Sequence, residues 1–103
     1  MKEFIVAVCS CPAGVAHTYM AADRLAKVAK KLGYDSKIET QGMAGIEDRL
    51  TQDDLERANV IIMANEIALR EPERFENYKD KMVYVSISRA LNHAEEVIKE
   101  SVR

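Results

Sequence analysis

The residues best equipped for chemistry lie together in Cys9-Ser10-Cys11-Pro12-Ala13-Gly14-Val15-Ala16-His17-Thr18. Thiols stand near the start of this run, a hydroxyl closes it, and small residues fill the middle. Thiolate is the nucleophilic form of cysteine, and it is stabilised where backbone N–H groups converge at a helix N-terminus. Phosphoryl transfer needs an in-line nucleophile and donors for the equatorial oxygens. Cys11 supplies the first, as the residue that would carry a phosphoryl group. The positions Pro12, Ala13, Gly14, Val15, Ala16, His17 and Thr18 form the phosphate cradle, with the amides from Ala13 onward as its donors. Gly14 lets the backbone approach closely and adopt positive φ, while Pro12 stiffens the turn and offers no N–H. No Arg or Lys occurs between Glu3 and Arg24. The cradle therefore consists mainly of neutral dipoles, expected to bind a phosphoryl group without holding it so tightly that transfer becomes irreversible.

Such a loop must be held by a strand before it and a helix after it. Glu3-Phe4-Ile5-Val6-Ala7-Val8 reads as a short buried strand. From Thr18 to Leu32 the spacing turns helical, with Ala21, Ala22, Leu25, Val28, Ala29 and Leu32 on one face and Gly33 as the stop. Tyr34–Thr40 alternates weakly and is expected at a sheet edge. Gln41–Gly45 is expected to be a loop leading to a helical turn. Thr51-x-x-Asp54 has capping-box spacing for a short helix through about Ala58. Asn59–Ala64 is almost continuously apolar, as in a central parallel strand covered on both faces. Pro72 is placed to start a short helix around residues 73–78. Met82–Ile87 is a fourth strand, and Ser88 is expected to cap a closing helix with Leu91, Ala94, Val97, Ile98 and Val102 inward.

Alternating strands and helices predict an α/β three-layer sandwich. Its sheet has four parallel strands in the order 2-1-3-4, with helices on both faces. That order puts the switch point between strands one and three, where the loops Cys9–His17 and Asn65–Arg70 meet.

The 103 residues fit one domain, spanning 1–103. Apolar content of 48% and charged content of 31% are those of an ordinary globular chain. A net charge of −2 gives no reason to expect nucleic-acid binding. No apolar run approaches the roughly 20 residues of a membrane span, and the start lacks a signal-peptide pattern. A cytoplasmic chain with reduced thiols is the expectation, since Cys-x-Cys is poor disulfide geometry.

The segment Cys11-Pro12-Ala13-Gly14-Val15-Ala16-His17-Thr18-Tyr19-Met20-Ala21-Ala22 resembles the signature Cys-Pro-x-Gly-Ile-Ala-His-Thr-x-Met-Ala-Ala. That signature marks fructose-family enzyme IIB domains of the bacterial phosphoenolpyruvate-dependent sugar phosphotransferase system. Glu39-Thr40-Gln41-Gly42 is similar to a second family signature, and Arg74-Phe75 to a third. The family commonly has Ala-x-Asp where this chain has Ala64-Asn65-Glu66. The resemblance implies a phosphocarrier with Cys11 as the phosphocysteine. It would be loaded by a phosphohistidine on a IIA partner and unloaded onto a sugar presented by a IIC membrane permease. Fructose, mannose-type and mannosylglycerate-type sugars fall within the family's range. No cofactor and no metal are implied, and a carrier that docks two partners in turn is expected to be a monomer.

The alternative is a small cysteine-dependent phosphatase, because Cys11-x5-His17-Thr18 parallels the Cys-x5-Arg-Ser/Thr spacing of the small tyrosine phosphatases. His17 cannot grip phosphate bidentately as arginine does, and the general acid would have to be Glu66. A Cys-x-Cys metal chaperone lacks further ligands, and a redox protein would favour Cys-x-x-Cys. Structural roles compete at single positions. Cys9 reads as a core thiol. His17 is either a helix cap or a phosphate contact, and so is Thr18. Met20 is either an exposed docking residue or, as methionines at such positions more often are, part of the core, and His93 is expected at the surface.

Overall fold

The computed structural model describes residues 3–10, 15–42 and 45–102. Strand β1 (Phe4–Ser10) leads to helix α1 (Val15–Lys31), then β2 (Asp35–Gly42) and β3 (Gly45–Glu47). Helix α2 (Gln52–Arg57) precedes β4 (Val60–Asn65). A 3₁₀ segment (Pro72–Lys81) runs into β5 (Met82–Tyr84), and α3 (Ile87–Asn92) and α4 (Ala94–Ser101) close the chain.

The sheet order is β3-β2-β1-β4-β5. β1 runs parallel to β2 and β4, and β4 parallel to β5, which reproduces the expected 2-1-3-4 core. The sheet has five strands instead of four and is mixed, because β3 folds back antiparallel onto β2. Residues 45–47 thus form a strand where a helical turn was expected, and β2 is an inner strand. A three-residue strand is below the length at which alternation is readable.

Both faces of the sheet are covered. Ile5, Ala7 and Cys9 of β1, with Val60, Ile62 and Ala64 of β4, pack against α1, α3 and α4 through Ala21, Leu25, Ala90, Val97 and Ile98. On the other face Val6, Val8, Ile61 and Met63 meet Leu50 from the loop before α2, Leu55 of α2, and Phe75 and Tyr78 of the 3₁₀ segment. Burial on both sides is why β1 and β4 read as unbroken apolar runs.

Local signals fix several boundaries. Gly33 ends α1 at φ +85°, with Gly33 N–H donating to Lys30 C=O (3.0 Å) and Tyr34 N–H to Ala29 C=O (2.9 Å). This is the Schellman arrangement that glycine permits. The capping box forms as its spacing implied. Asp54 N–H donates to Thr51 Oγ1 (3.1 Å) and Thr51 N–H to Asp54 Oδ2 (2.9 Å). The end of the chain differs from expectation. β5 stops at Tyr84, and Ser86, not Ser88, is the cap, its Oγ accepting from Arg89 N–H at 3.0 Å. The closing helix is two helices, because His93 (φ −134°, ψ 38°) ends α3 and opens α4.

Candidate functional site at the switch point

The connection from β1 through α1 turns to one side to reach β2, and β4 lies on the other side. The switch point is therefore at the carboxyl ends of β1 and β4, as the strand order predicted. Cys11, Pro12, Ala13 and Gly14 lie outside the described residues, as does the side chain of Val15. Their flanks are described. Ser10 is the last residue of β1, and Val15 is the first of α1.

The first turn of α1 carries no acidic side chain, and the leading amides of a helix have no intrahelical acceptor. The positive end of the dipole of a 17-residue helix thus begins four residues after Cys11 in the sequence. Ala16 and His17 are exposed on this turn. Thr18 is buried, and because α1 begins three residues earlier it is not the N-cap. Met20 is 52% exposed, so it belongs to the surface and not to the core. Tyr19, also exposed, donates its hydroxyl to the Glu47 carboxylate. His93 is exposed at the α3–α4 break, as expected.

The described thiol is chemically quiet. Cys9 is fully buried beneath α1, and desolvation pushes its pKa up to about 12. At neutral pH it stays protonated and serves as a small core residue.

Across the carboxyl end of the sheet runs a row of polar side chains. Cys9 pairs in register with Thr40, and Ser10 with Asn65, so Gln41 stands level with Ser10 one step further. Strand alternation turns Gln41, Ser10 and Asn65 to the face covered by the 3₁₀ segment. Among the described residues, the buried side-chain atoms without a hydrogen-bond partner are Ser10 Oγ and Asn65 Oδ1. Asn65 Nδ2 donates to Ile67 C=O at 3.1 Å, which fixes Oδ1 as the open acceptor. Each open group costs about 1–3 kcal/mol when nothing fills it.

Gln41 is satisfied by main chain. Its Oε1 accepts from Arg70 N–H at 2.9 Å, and its Nε2 donates to Arg70 C=O at 3.3 Å. The same Nε2 donates to Glu39 Oε2 at 2.7 Å. Glu39 is fully buried, with Arg74 forked onto both its oxygens at 2.7 and 3.0 Å and Leu50 N–H on Oε1 at 2.8 Å. Burial pushes the Glu39 pKa up, but hydrogen bonds from Arg74, Gln41 and Leu50 outweigh it and hold the carboxyl below its ordinary value. Arg74 also donates to the carbonyls of Leu50, Arg70 and Glu71. The segments Glu39–Gly42 and Arg74–Phe75, far apart in sequence, are two halves of one buried network.

Glu66 has a structural partner: its Oε2 accepts from Ile87 N–H at 3.0 Å, at the start of α3. The carboxylate that a phosphatase would need as its acid is thus engaged in holding a helix end. Residue patterns alone did not single out Ser10, Asn65 or Arg70. Their one signal was topological, since they lie in or beside the two loops assigned to the switch point. Among the described residues, no group of three His, Cys, Asp or Glu side chains is placed to hold a metal ion. No helix among them is long and apolar enough to cross a membrane.

Comparison with known proteins identifies the family and agrees with the fold. A family model described as "PTS system, Lactose/Cellobiose specific IIB subunit" matches residues 6–100. The PTS system fructose-like EIIB component 2 of Escherichia coli (strain K12) is 43% identical over 94 residues, covering 91% of this chain and 87% of that protein. The PTS system 2-O-alpha-mannosyl-D-glycerate-specific EIIABC component of the same strain is 45% identical over 98 residues, or 95% of this chain. The chain spans only 15% of that protein's length. The crystal structure of a domain from the fructose-specific IIABC component of Borrelia burgdorferi superposes with a TM-score of 0.89 at 44% identity, covering 99% of this chain and 95% of that one. The chain belongs to the IIB family of the sugar phosphotransferase system (PTS), in the branch of the fructose-like EIIB components.

Proposed function

We propose that this chain is a cytoplasmic phosphocarrier in which Cys11 is both acceptor and donor. The Cys11 thiolate attacks the phosphorus of a phosphohistidine on a IIA partner. The N–P bond breaks as the S–P bond forms, and the histidine ring keeps the electron pair and takes up a proton. In the second step a hydroxyl of a fructose-like or mannose-like sugar, presented by a IIC membrane partner, attacks the same phosphorus. The S–P bond breaks, the hydroxyl proton is released, and the thiolate is regenerated. The amides of residues 13–18 carry the charge of the equatorial oxygens in both directions.

The observation that supports this reading most is the setting of the thiol position. It directly follows Ser10, the end of a buried strand at the switch point, and lies just before a helix whose first turn is free of acidic side chains. The other thiol, Cys9, is sealed in the core and cannot compete. The test is incubation with phosphoenolpyruvate, the general phosphotransferase proteins and a series of IIA proteins, followed by intact-mass measurement. One phosphoryl adduct that requires a IIA protein is expected. The absence of an adduct with every donor, together with turnover of an aryl phosphate, would replace this reading with a phosphatase.

A further inference from the structure

No Arg or Lys occurs between Glu3 and Arg24, the stretch that holds the proposed cradle, yet the donor in the proposed reaction carries a doubly charged phosphoryl group. Six arginines lie among the described residues. Arg49, Arg57, Arg74 and Arg89 each face a carboxylate, namely Glu71, Asp53, Glu39 and Glu100. Arg24, on the exposed surface of α1, and Arg70 have no carboxylate partner among the described residues. Arg70 differs from Arg24 in how it is held. Its N–H and C=O are both taken by the Gln41 carboxamide, and its C=O also accepts from Arg74. The backbone is fixed while the side chain is exposed. Its guanidinium comes within 3.7 Å of where a Cβ on Gly45 would stand, at the β2–β3 turn.

The anchor is at the level of the chemistry. Gln41 stands in the row with Ser10, the residue immediately before Cys11. Two acids of the same segments are already paired, Glu71 with Arg49 and Glu39 with Arg74. The guanidinium of Arg70 is thus left out of the ion pairs formed among the described residues. In the same row Ser10 Oγ, a donor, is buried without a partner, an independent mark of a place built for a group not yet bound.

We propose that Arg70 receives the anionic phosphoryl group of the incoming phosphorylated donor, and that Gln41 is the positioning residue that holds Arg70 at the site. This rests on the phosphocarrier reading. Arg70 acts in capturing the donor and is not part of the cradle, so the phosphocysteine itself remains loosely held.

The test uses the full chain and a phosphohistidine IIA protein charged from phosphoenolpyruvate, with initial rates of adduct formation read by mass. Arg70→Gln is expected to raise KM for the charged donor about fivefold, the scale of an exposed charge pair, with kcat within about twofold. The dependence of KM on salt should flatten, since one screened attraction is gone. Gln41→Ala should raise KM similarly and add nothing in the Arg70→Gln background, because both act through one group. Arg24→Gln, the comparison arginine, should leave KM unchanged. Thermal melts identify any variant that fails to fold. An unaltered KM in a folded Arg70→Gln chain that still accepts phosphoryl overturns the inference while leaving the carrier intact. An additive double variant overturns the role of Gln41. A wild-type chain that no charged donor phosphorylates removes both proposals.

Discussion

Arg74 lays both guanidinium nitrogens along the Glu39 carboxylate, at 2.7 and 3.0 Å, where the carboxylate is wholly removed from solvent. The pair joins β2 to the 3₁₀ segment, and through Gln41 and Leu50 it secures both neighbouring loops. Removing one member strands the other in a poorly solvated place. Arg74→Ala is expected to destabilise the chain by about 3–5 kcal/mol, a large part of a typical domain's stability. Chemical denaturation of wild type and variant measures it, and a loss below about 1 kcal/mol would contradict the network's structural role.

The same pair sets a pH dependence. Glu39 titrates below its ordinary value in the folded chain, so folding favours its ionised form. The stabilisation is complete above the unfolded value, near ~4.3, and is lost as pH falls from there through the folded value. Asp54 acts in the same direction. Burial alone would raise its pKa, but the Lys37 ammonium at 2.7 Å and the Thr51 groups lower it. Urea midpoints should hold steady from neutral pH to about 5 and then fall steeply. In Arg74→Met the part of that fall due to Glu39 should shrink; an identical acid limb in the variant would contradict the assignment.

Ser10 offers a contrasting case. Its hydroxyl is buried without a partner, so Ser10→Ala removes a desolvated group that gains nothing from the free chain. The melting temperature of the unphosphorylated variant should equal or exceed that of wild type. A drop of several degrees would mean that the hydroxyl is bonded in the free protein.

The cradle proposed for residues 12–18 has no Arg or Lys, which should make phosphoryl release easy. Ala16 is exposed on the first turn of α1, next to the thiol loop. Ala16→Arg should therefore fold normally and slow donation from the phosphorylated chain by holding the group more tightly. Donation at the wild-type rate would count against loose electrostatic binding as the basis of reversibility.

The alternation of β1, α1 and β4 was readable from periodicity because these elements are long and buried on well-defined faces. The switch point follows from strand order alone, and it places Ser10 and Asn65 side by side at the ends of β1 and β4 without naming them. What escaped was set by contacts distant in sequence. β3 is three residues long and exists because it pairs with β2. The helix break at His93 lies within a run whose apolar stripe is continuous on both sides. Ser86 outcompeted Ser88 as a cap because β5 ends early and the Glu66 carboxylate meets Ile87 N–H. The Glu39–Arg74 pair spans 35 residues, a separation at which local pattern carries no information.

Cysteine assignment is the central claim, and intact mass with paired variants tests it most directly. Wild type, Cys9→Ser and Cys11→Ser are charged side by side with phosphoenolpyruvate, the general proteins and an active IIA protein. The account predicts one phosphoryl adduct on wild type and on Cys9→Ser, stable in mild base and discharged by iodine as a thiophosphate should be, and none on Cys11→Ser. An adduct that persists in Cys11→Ser while disappearing in Cys9→Ser would contradict the account.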